Sequence, residues 1–189
     1  MEAAAYQVTL NIASLAFMLP YGMSMAGAVR IGLAAGARDN EAAKRAASTT
    51  VIACICAIMI IAIPVSLYPE ITASLFLDLK KEVNSNVINL VIGFLPIATG
   101  FMLFDSIQVA ANQLLRGLKD VNWPMLLTGI SYWLFGFPIA YILALKTDVG
   151  PKGVWYGLMA GLALASILLS GRLLSKLNKD NYFSIGSVK

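Results

Sequence analysis

Five stretches of this chain contain no Asp, Glu, Lys or Arg: Ala3–Val29, Ala46–Pro69, Val83–Phe104, Val121–Leu145 and Gly153–Gly171. Each is long enough to cross roughly 30 Å of hydrocarbon as a helix. None shows the polar face that a helix on the surface of a water-soluble domain needs. Only 13% of the residues are charged, about half the share of a soluble domain. The fold class is therefore an all-α integral membrane protein with five transmembrane helices. Their approximate extents are 6–29, 46–67, 86–115, 124–145 and 154–174. The transmembrane unit covers 1–177, and 178–189 forms a polar cytoplasmic tail.

Between the spans the charges are distributed unevenly. Arg30, Arg38, Lys44 and Arg45 follow the first span, Arg116 and Lys119 the third, and Arg172, Lys176, Lys179 and Lys189 the fifth. The opposite side has Lys80, Lys81, Lys146 and Lys152. The positive-inside rule puts the first set in the cytoplasm, the N-terminus outside and the C-terminus inside, with the inner (cell) membrane as the location. The net charge of +4 thus follows topology and gives no reason to expect a nucleic-acid partner. The N-terminal MEAAAYQV lacks a basic n-region and a small-residue cleavage site, so it does not read as a signal peptide.

Within these spans, punctuation and packing signals are few. Pro20 sits inside the first helix, and Pro124 suits the first turn of the fourth. Arg30–Arg45 is expected to start as a helical extension, and Glu70–Ser85 to form an external loop. Gly153, Gly157, Gly161 and Ala165 recur every four residues on the fifth helix. They leave one face nearly bare for close packing against another helix of the same chain. Trp155 and Tyr156 beside Lys152 read as anchors at the membrane boundary. Cys54 and Cys56, two apart on a helix, point to different sides and read as small packing residues.

The chemistry concentrates on one residue. Asp105 is the only charged side chain between Val83 and Leu115. A carboxylate at mid-membrane depth costs about 2.5–3.5 kcal/mol on insertion scales, so it marks an ion or proton site by default. At 100° per residue, Phe101, Gln108 and Asn112 lie within about 60° of Asp105, with Ala98 extending the stripe. Gln7, Asn11 and Ser14 form a similar stripe on the first helix, and Thr128 and Tyr132 share a face of the fourth. The candidate cation- and substrate-binding residues are Asp105, Gln108, Asn112, Gln7, Asn11 and Phe101, with Asp105 as the candidate Na⁺ site. No cofactor is expected beyond a coupling ion, H⁺ or Na⁺. The chain has no histidine, no P-loop and no dinucleotide fingerprint, so no catalytic residues are assigned and no enzyme activity is expected.

Three blocks in order, AYQVTLNIASLAFMLPYGMSMAGAVRIGLAAGARDNEAAKRAA, FDSIQVAANQLLRGLKDVNWPM and GPKGVWYGLMAGLALASILLSGRLL, resemble the eighth, tenth and twelfth helices of the MATE (multidrug and toxic compound extrusion) family. The resemblance covers nearly the whole chain. It implies twelve helices in two pseudo-symmetric bundles that exchange H⁺ or Na⁺ for organic cations and drugs by alternating access. Asp105 matches the acidic residue of the tenth helix used for cation coupling. Gln7 and Asn11 match polar positions of the eighth helix. The Arg116–Gly117 pair matches the cytoplasmic end of the tenth.

On this resemblance the chain is expected to be a C-terminal fragment, helices eight to twelve, of a longer transporter. It would be inactive and poorly stable without the remaining bundle, because alternating access needs two bundles. Its expected partners are organic cations or drugs, membrane lipids and the missing N-terminal bundle. Two alternatives stay open: a lipid-linked saccharide flippase of the same superfamily, whose cavity would be more basic, and a structural or regulatory membrane subunit.

Overall fold

The computed structural model describes residues 2–74, 82–147, 150 and 152–178, all of whose regular structure is helical. The elements are α1 (Glu2–Gly36), α2 (Asn40–Leu67), a short α3 (Pro69–Ser74), α4 (Glu82–Gly117), α5 (Asn122–Ile130), a π-helical turn (Ser131–Gly136), α6 (Phe137–Leu145) and α7 (Lys152–Leu177). Five apolar helical spans result: Gln7–Gly36, Asn40–Leu67, Leu90–Gly117, Asn122–Leu145 and Gly153–Leu177. Lys80, Lys81 and the tail from residue 179, Lys179 and Lys189 included, lie outside the described residues.

The helices run further than the apolar runs do. α1 continues to Gly36, as an extension past Arg30 predicts. α2 starts at Asn40, not Ala46, because Asp39 caps it: Asp39 Oδ1 accepts from the Ala42 amide at 2.8 Å. The Glu70–Ser85 segment is not simply a loop, since α3 and the start of α4 occupy parts of it. In each case the chain leaves hydrocarbon before it leaves the helix, and hydropathy marks only the first event.

Two helix ends share one design. Arg38 and Lys119 both have φ of 59°. The Asp39 amide donates to the Ala34 carbonyl and the Arg38 amide to Ala35; likewise Asp120 donates to Leu115 and Lys119 to Arg116. These are Schellman ends with a basic residue in the left-handed position that glycine usually fills. The corresponding sequences are Gly36-Ala37-Arg38-Asp39 and Gly117-Leu118-Lys119-Asp120.

α4 is the central helix, packed against α1, α2 and α7. The fourth span is peripheral: it packs mainly on α7, and only 11% of its apolar window is buried, against 39% for α7. At one end of the bundle Ile12, Ala16, Ile58, Phe94, Leu95, Ala98 and Trp155 form a core. At the other, Ile31, Ala47, Ala111, Leu114, Leu115 and Leu169 form a second. That second end also carries Arg30, Arg38, Lys44, Arg45, Arg116, Lys119, Arg172 and Lys176, in agreement with the sequence grouping.

The glycine stripe on α7 packs within the chain, as predicted. A Cβ at Gly157 would collide with the Ala140 backbone, and one at Gly153 would lie 2.5 Å from the Leu143 carbonyl carbon. Gly161 brings α7 onto the π-helical turn, where a Cβ would stand 3.1 Å from Gly136 Cα and 3.2 Å from the Ser131 carbonyl. Trp155 departs from expectation. It is fully buried and meets Phe101 edge-on at 5.7 Å, so it is a core residue and not a boundary anchor. Tyr156, its neighbour, is exposed.

Candidate cation site

Asp105 stands on α4 between the two cores, half-buried. Its level is fixed by a polar thread through three helices. Ser106 Oγ donates to the Cys54 carbonyl at 3.0 Å, and Cys54 Sγ donates to the Pro20 carbonyl at 3.4 Å. Other buried hydroxyls bond carbonyls of their own helix, as Thr50 does with Ala46 and Ser131 with Leu127. That is how polar atoms are tolerated at membrane depth. Asp105 has no such arrangement. Among the described residues the ion pairs are Lys44–Glu41, Arg172–Asp120 and Lys176–Asp120, and none involves it.

On the fourth span, which packs on α7, Tyr132 is half-buried and within the long-range field of the Asp105 charge. Tyr132 sits in the π-helical turn, where the Phe137 amide donates back to the Tyr132 carbonyl. The extra residue in that turn re-aims side chains, and such insertions concentrate at functional sites. One turn earlier, Thr128 Oγ1 is buried without a hydrogen-bond partner. Phe101 lies one turn outward of Asp105 on α4, against Trp155. Gln108 is buried one turn inward, and Asn112 is half-buried beyond it.

Gln7 and Asn11 lie elsewhere. They bond each other, Gln7 Nε2 to Asn11 Oδ1 at 3.2 Å, and both are exposed. Pro20 marks the level of Ser106 on α1, so Asn11, nine residues before it, is about 13 Å further out at 1.5 Å per residue. Asp105, Gln108, Asn112 and Phe101 share α4, Tyr132 and Thr128 belong to the fourth span packed on α7, and the first-helix pair stands apart from both. Sequence spacing ties Thr128 to Tyr132 but has no signal for the π-helical turn in which Tyr132 sits. No cluster of three or more His, Cys, Asp or Glu able to hold a metal ion occurs among the described residues. A cation at Asp105 would have one carboxylate and otherwise neutral oxygens.

A second charged constellation closes the basic end of the bundle. Asp120, in the turn after α4, is 6% exposed. Arg172 Nε donates to Asp120 Oδ2 at 2.6 Å, and Lys176 Nζ lies 3.1 Å from the same oxygen. The Arg172 guanidinium also stacks 5.0 Å over Trp123. Burial alone would raise the Asp120 pKa, but the hydrogen bonds and charges of Arg172 and Lys176 outweigh it and hold the carboxyl below its ordinary range. Arg172 is 52 residues from Asp120 in the chain, so no local pattern announces the pairing.

The geometry can be set beside known proteins. The MatE family model matches residues 1–142. The protein named "Probable multidrug resistance protein NorM" in Mesorhizobium japonicum is 37% identical over 173 residues, 92% of this chain and 37% of its own length. The "Multidrug resistance protein NorM" of Burkholderia vietnamiensis is 36% identical over 169 residues, 89% of this chain and 37% of its own. Among solved structures, the eukaryotic MATE transporter AtDTX14 superposes with a TM-score of 0.80 at 22% identity, covering 97% of this chain and 40% of that one. An inward-facing multidrug resistance MATE family transporter of the MOP superfamily gives 0.84 at 19% identity, covering 96% and 41%. At such identities these two likenesses establish the fold. The chain spans about two-fifths of the length of each of these proteins.

Proposed function

The chain belongs to the MATE family, and from that premise we propose that it forms five helices of a cation-coupled antiporter that expels organic cations or drugs, with Asp105 as the coupling residue. The observation that carries this reading is a carboxylate at mid-span, on a helix buried at the centre of the bundle, with no ion pair among the described residues. Such a group is tolerated when it is protonated or holds a cation. Proton or Na⁺ and a cationic substrate then compete for one carboxylate, so arrival of either drives off the other. Coupling follows from that competition once the site alternates between the two sides of the membrane.

In this mechanism the helices hold the site and the second bundle supplies the moving wall. The five helices alone do not transport. The basic end, with Arg30, Arg45, Arg116 and Arg172, faces the cytoplasm of the inner membrane, so the N-terminal end of α1 lies outside. Gln108 and Asn112 continue the polar face inward from Asp105, and Gln7 and Asn11 line the outer vestibule. A flippase reading is disfavoured because the Asp105 face carries no Lys or Arg among the described residues.

The test is ethidium accumulation in a pump-deficient bacterium expressing the full-length gene, beside Asp105→Asn and Asp105→Glu versions. The reading expects energy-dependent efflux by the wild type, its loss in Asp105→Asn, and partial retention in Asp105→Glu. Undiminished efflux by a well-expressed Asp105→Asn protein would remove Asp105 from the coupling role.

A further inference from the structure

A groove of about 560 Å³ opens between α1 and α2 at the basic end of the bundle. Arg30 and Arg45 face it from opposite helices, together with Thr49, Asp39 and Leu33. Arg30 lies six residues before the end of α1, and Arg45 five after the start of α2. At 1.5 Å per residue both stand about 8–9 Å below the connecting turn. The charge-free runs start at their immediate neighbours, Val29 and Ala46. Both guanidiniums therefore stand at the boundary of the hydrocarbon, the depth of lipid phosphates.

Neither arginine is in an ion pair among the described residues. Asp39 is the acidic group lining the groove, and its Oδ1 is committed to the α2 cap. Two cations thus face one opening with no counter-charge engaged between them. The walls at Ala34, Ala42 and Ala46 are small, which leaves the opening wide enough for a headgroup. Two turns deeper on the same helix faces, Met23 below Arg30 and Ile52 below Arg45 are exposed and continue the surface as hydrocarbon.

We propose that this groove binds the headgroup of an anionic phospholipid, with Arg30 and Arg45 clamping the phosphodiester, Thr49 donating to it, and the acyl chains lying along the apolar surface beneath. Arginine's planar fork suits phosphate oxygens, and basic pockets between membrane helices are sites for anionic headgroups. This site is separate from Asp105 and does not depend on the transport reading.

The experiment is native mass spectrometry of the purified full chain in detergent, titrated with phosphatidylglycerol or phosphatidylcholine. Retention of phosphatidylglycerol over phosphatidylcholine is expected. The double variant Arg30→Gln/Arg45→Gln should lower phosphatidylglycerol affinity roughly 30-fold, given the usual contribution of each cation near an anionic lipid. Arg38→Gln/Lys44→Gln, with the same charge change outside the groove, should leave it near the wild-type value. Thr49→Phe keeps both charges but fills the opening, and should weaken binding too, which keeps the proposal testable if the arginine variant fails to fold. Equal retention of the two lipids, or equal losses in the two double variants, would reduce the effect to diffuse surface charge and overturn the proposal. So would displacement of the lipid by an equal concentration of soluble glycerol phosphate. Absence of phosphatidylglycerol binding would also overturn it and would leave the groove to an acidic protein segment.

Discussion

Adding one methyl group to α7 at Gly157 should destabilise the bundle, whereas the same change about three-quarters of the way along that helix should not. A Cβ at Gly157 meets the backbone nitrogen and Cα of Ala140 together with its side chain. A side chain could rotate away, but a backbone cannot, so α7 and the fourth span would have to separate. Overpacking of this kind costs about 1–3 kcal/mol, and a backbone obstacle places it near 3. Replacing glycine by alanine in a helix returns about 1 kcal/mol. The net loss is about 2 kcal/mol, or roughly 4–8 °C in Tm for a chain of this length. Gly171 is the control, because nothing lies within 4 Å of its Cβ position; Gly171→Ala should melt at or slightly above the wild type. The assay is thermal unfolding of the purified chain in detergent, followed by far-UV circular dichroism. A Gly157→Ala protein that melts at or above the wild type would refute the close packing of α7 on Ala140.

Three further outcomes follow from particular contacts. Asp120→Asn removes the negative charge that pairs with both Arg172 and Lys176 and should cost about 2 kcal/mol, less than a fully buried pair because the partners are partly exposed. Because the folded pKa of Asp120 is depressed, its contribution is present above the ordinary carboxylate pKa near 3.9 and fades as pH falls below it; melts at descending pH should therefore bring the wild type and Asp120→Asn together, and a constant gap would count against the ion pair. Arg38→Gly relieves a left-handed backbone at the end of α1 and should raise stability by up to about 1 kcal/mol in the same melts. Trp155→Ala should cost roughly 3 kcal/mol, the low end for this substitution because lipid removes the transfer part, while Tyr156→Ala, on the exposed side, should be close to neutral.

How much of this was legible in the sequence depends on the range of the interaction. The five spans follow from charge-free runs, because a bilayer imposes a length and a polarity on every helix that crosses it. The glycine repeat on α7 was equally legible, since spacing four on a helix is a local property. The start of α2 was not, because Glu41, Lys44 and Arg45 stop a hydropathy count but not a helix capped by Asp39, whereas its end at Leu67 was. Trp155 next to Lys152 reads as a boundary anchor until α4 is folded and Phe101 is found against it. The π-helical turn at Ser131–Gly136 has no sequence mark, and the close approach of α7 to it at Gly161 cannot be inferred without it. Asp105 stood out because an isolated charge in a long apolar run is costly wherever it points.

The central claim is that one carboxylate, Asp105, serves both the coupling cation and the substrate. Its most direct test is equilibrium binding of tetraphenylphosphonium to the purified full-length protein across a pH series, with and without Na⁺, for the wild type and Asp105→Asn. The account predicts that wild-type affinity rises with pH, by up to about tenfold per pH unit for one displaced proton, or falls on adding Na⁺, and that Asp105→Asn loses this dependence. An Asp105→Asn protein whose affinity follows pH and Na⁺ as the wild type's does would contradict it.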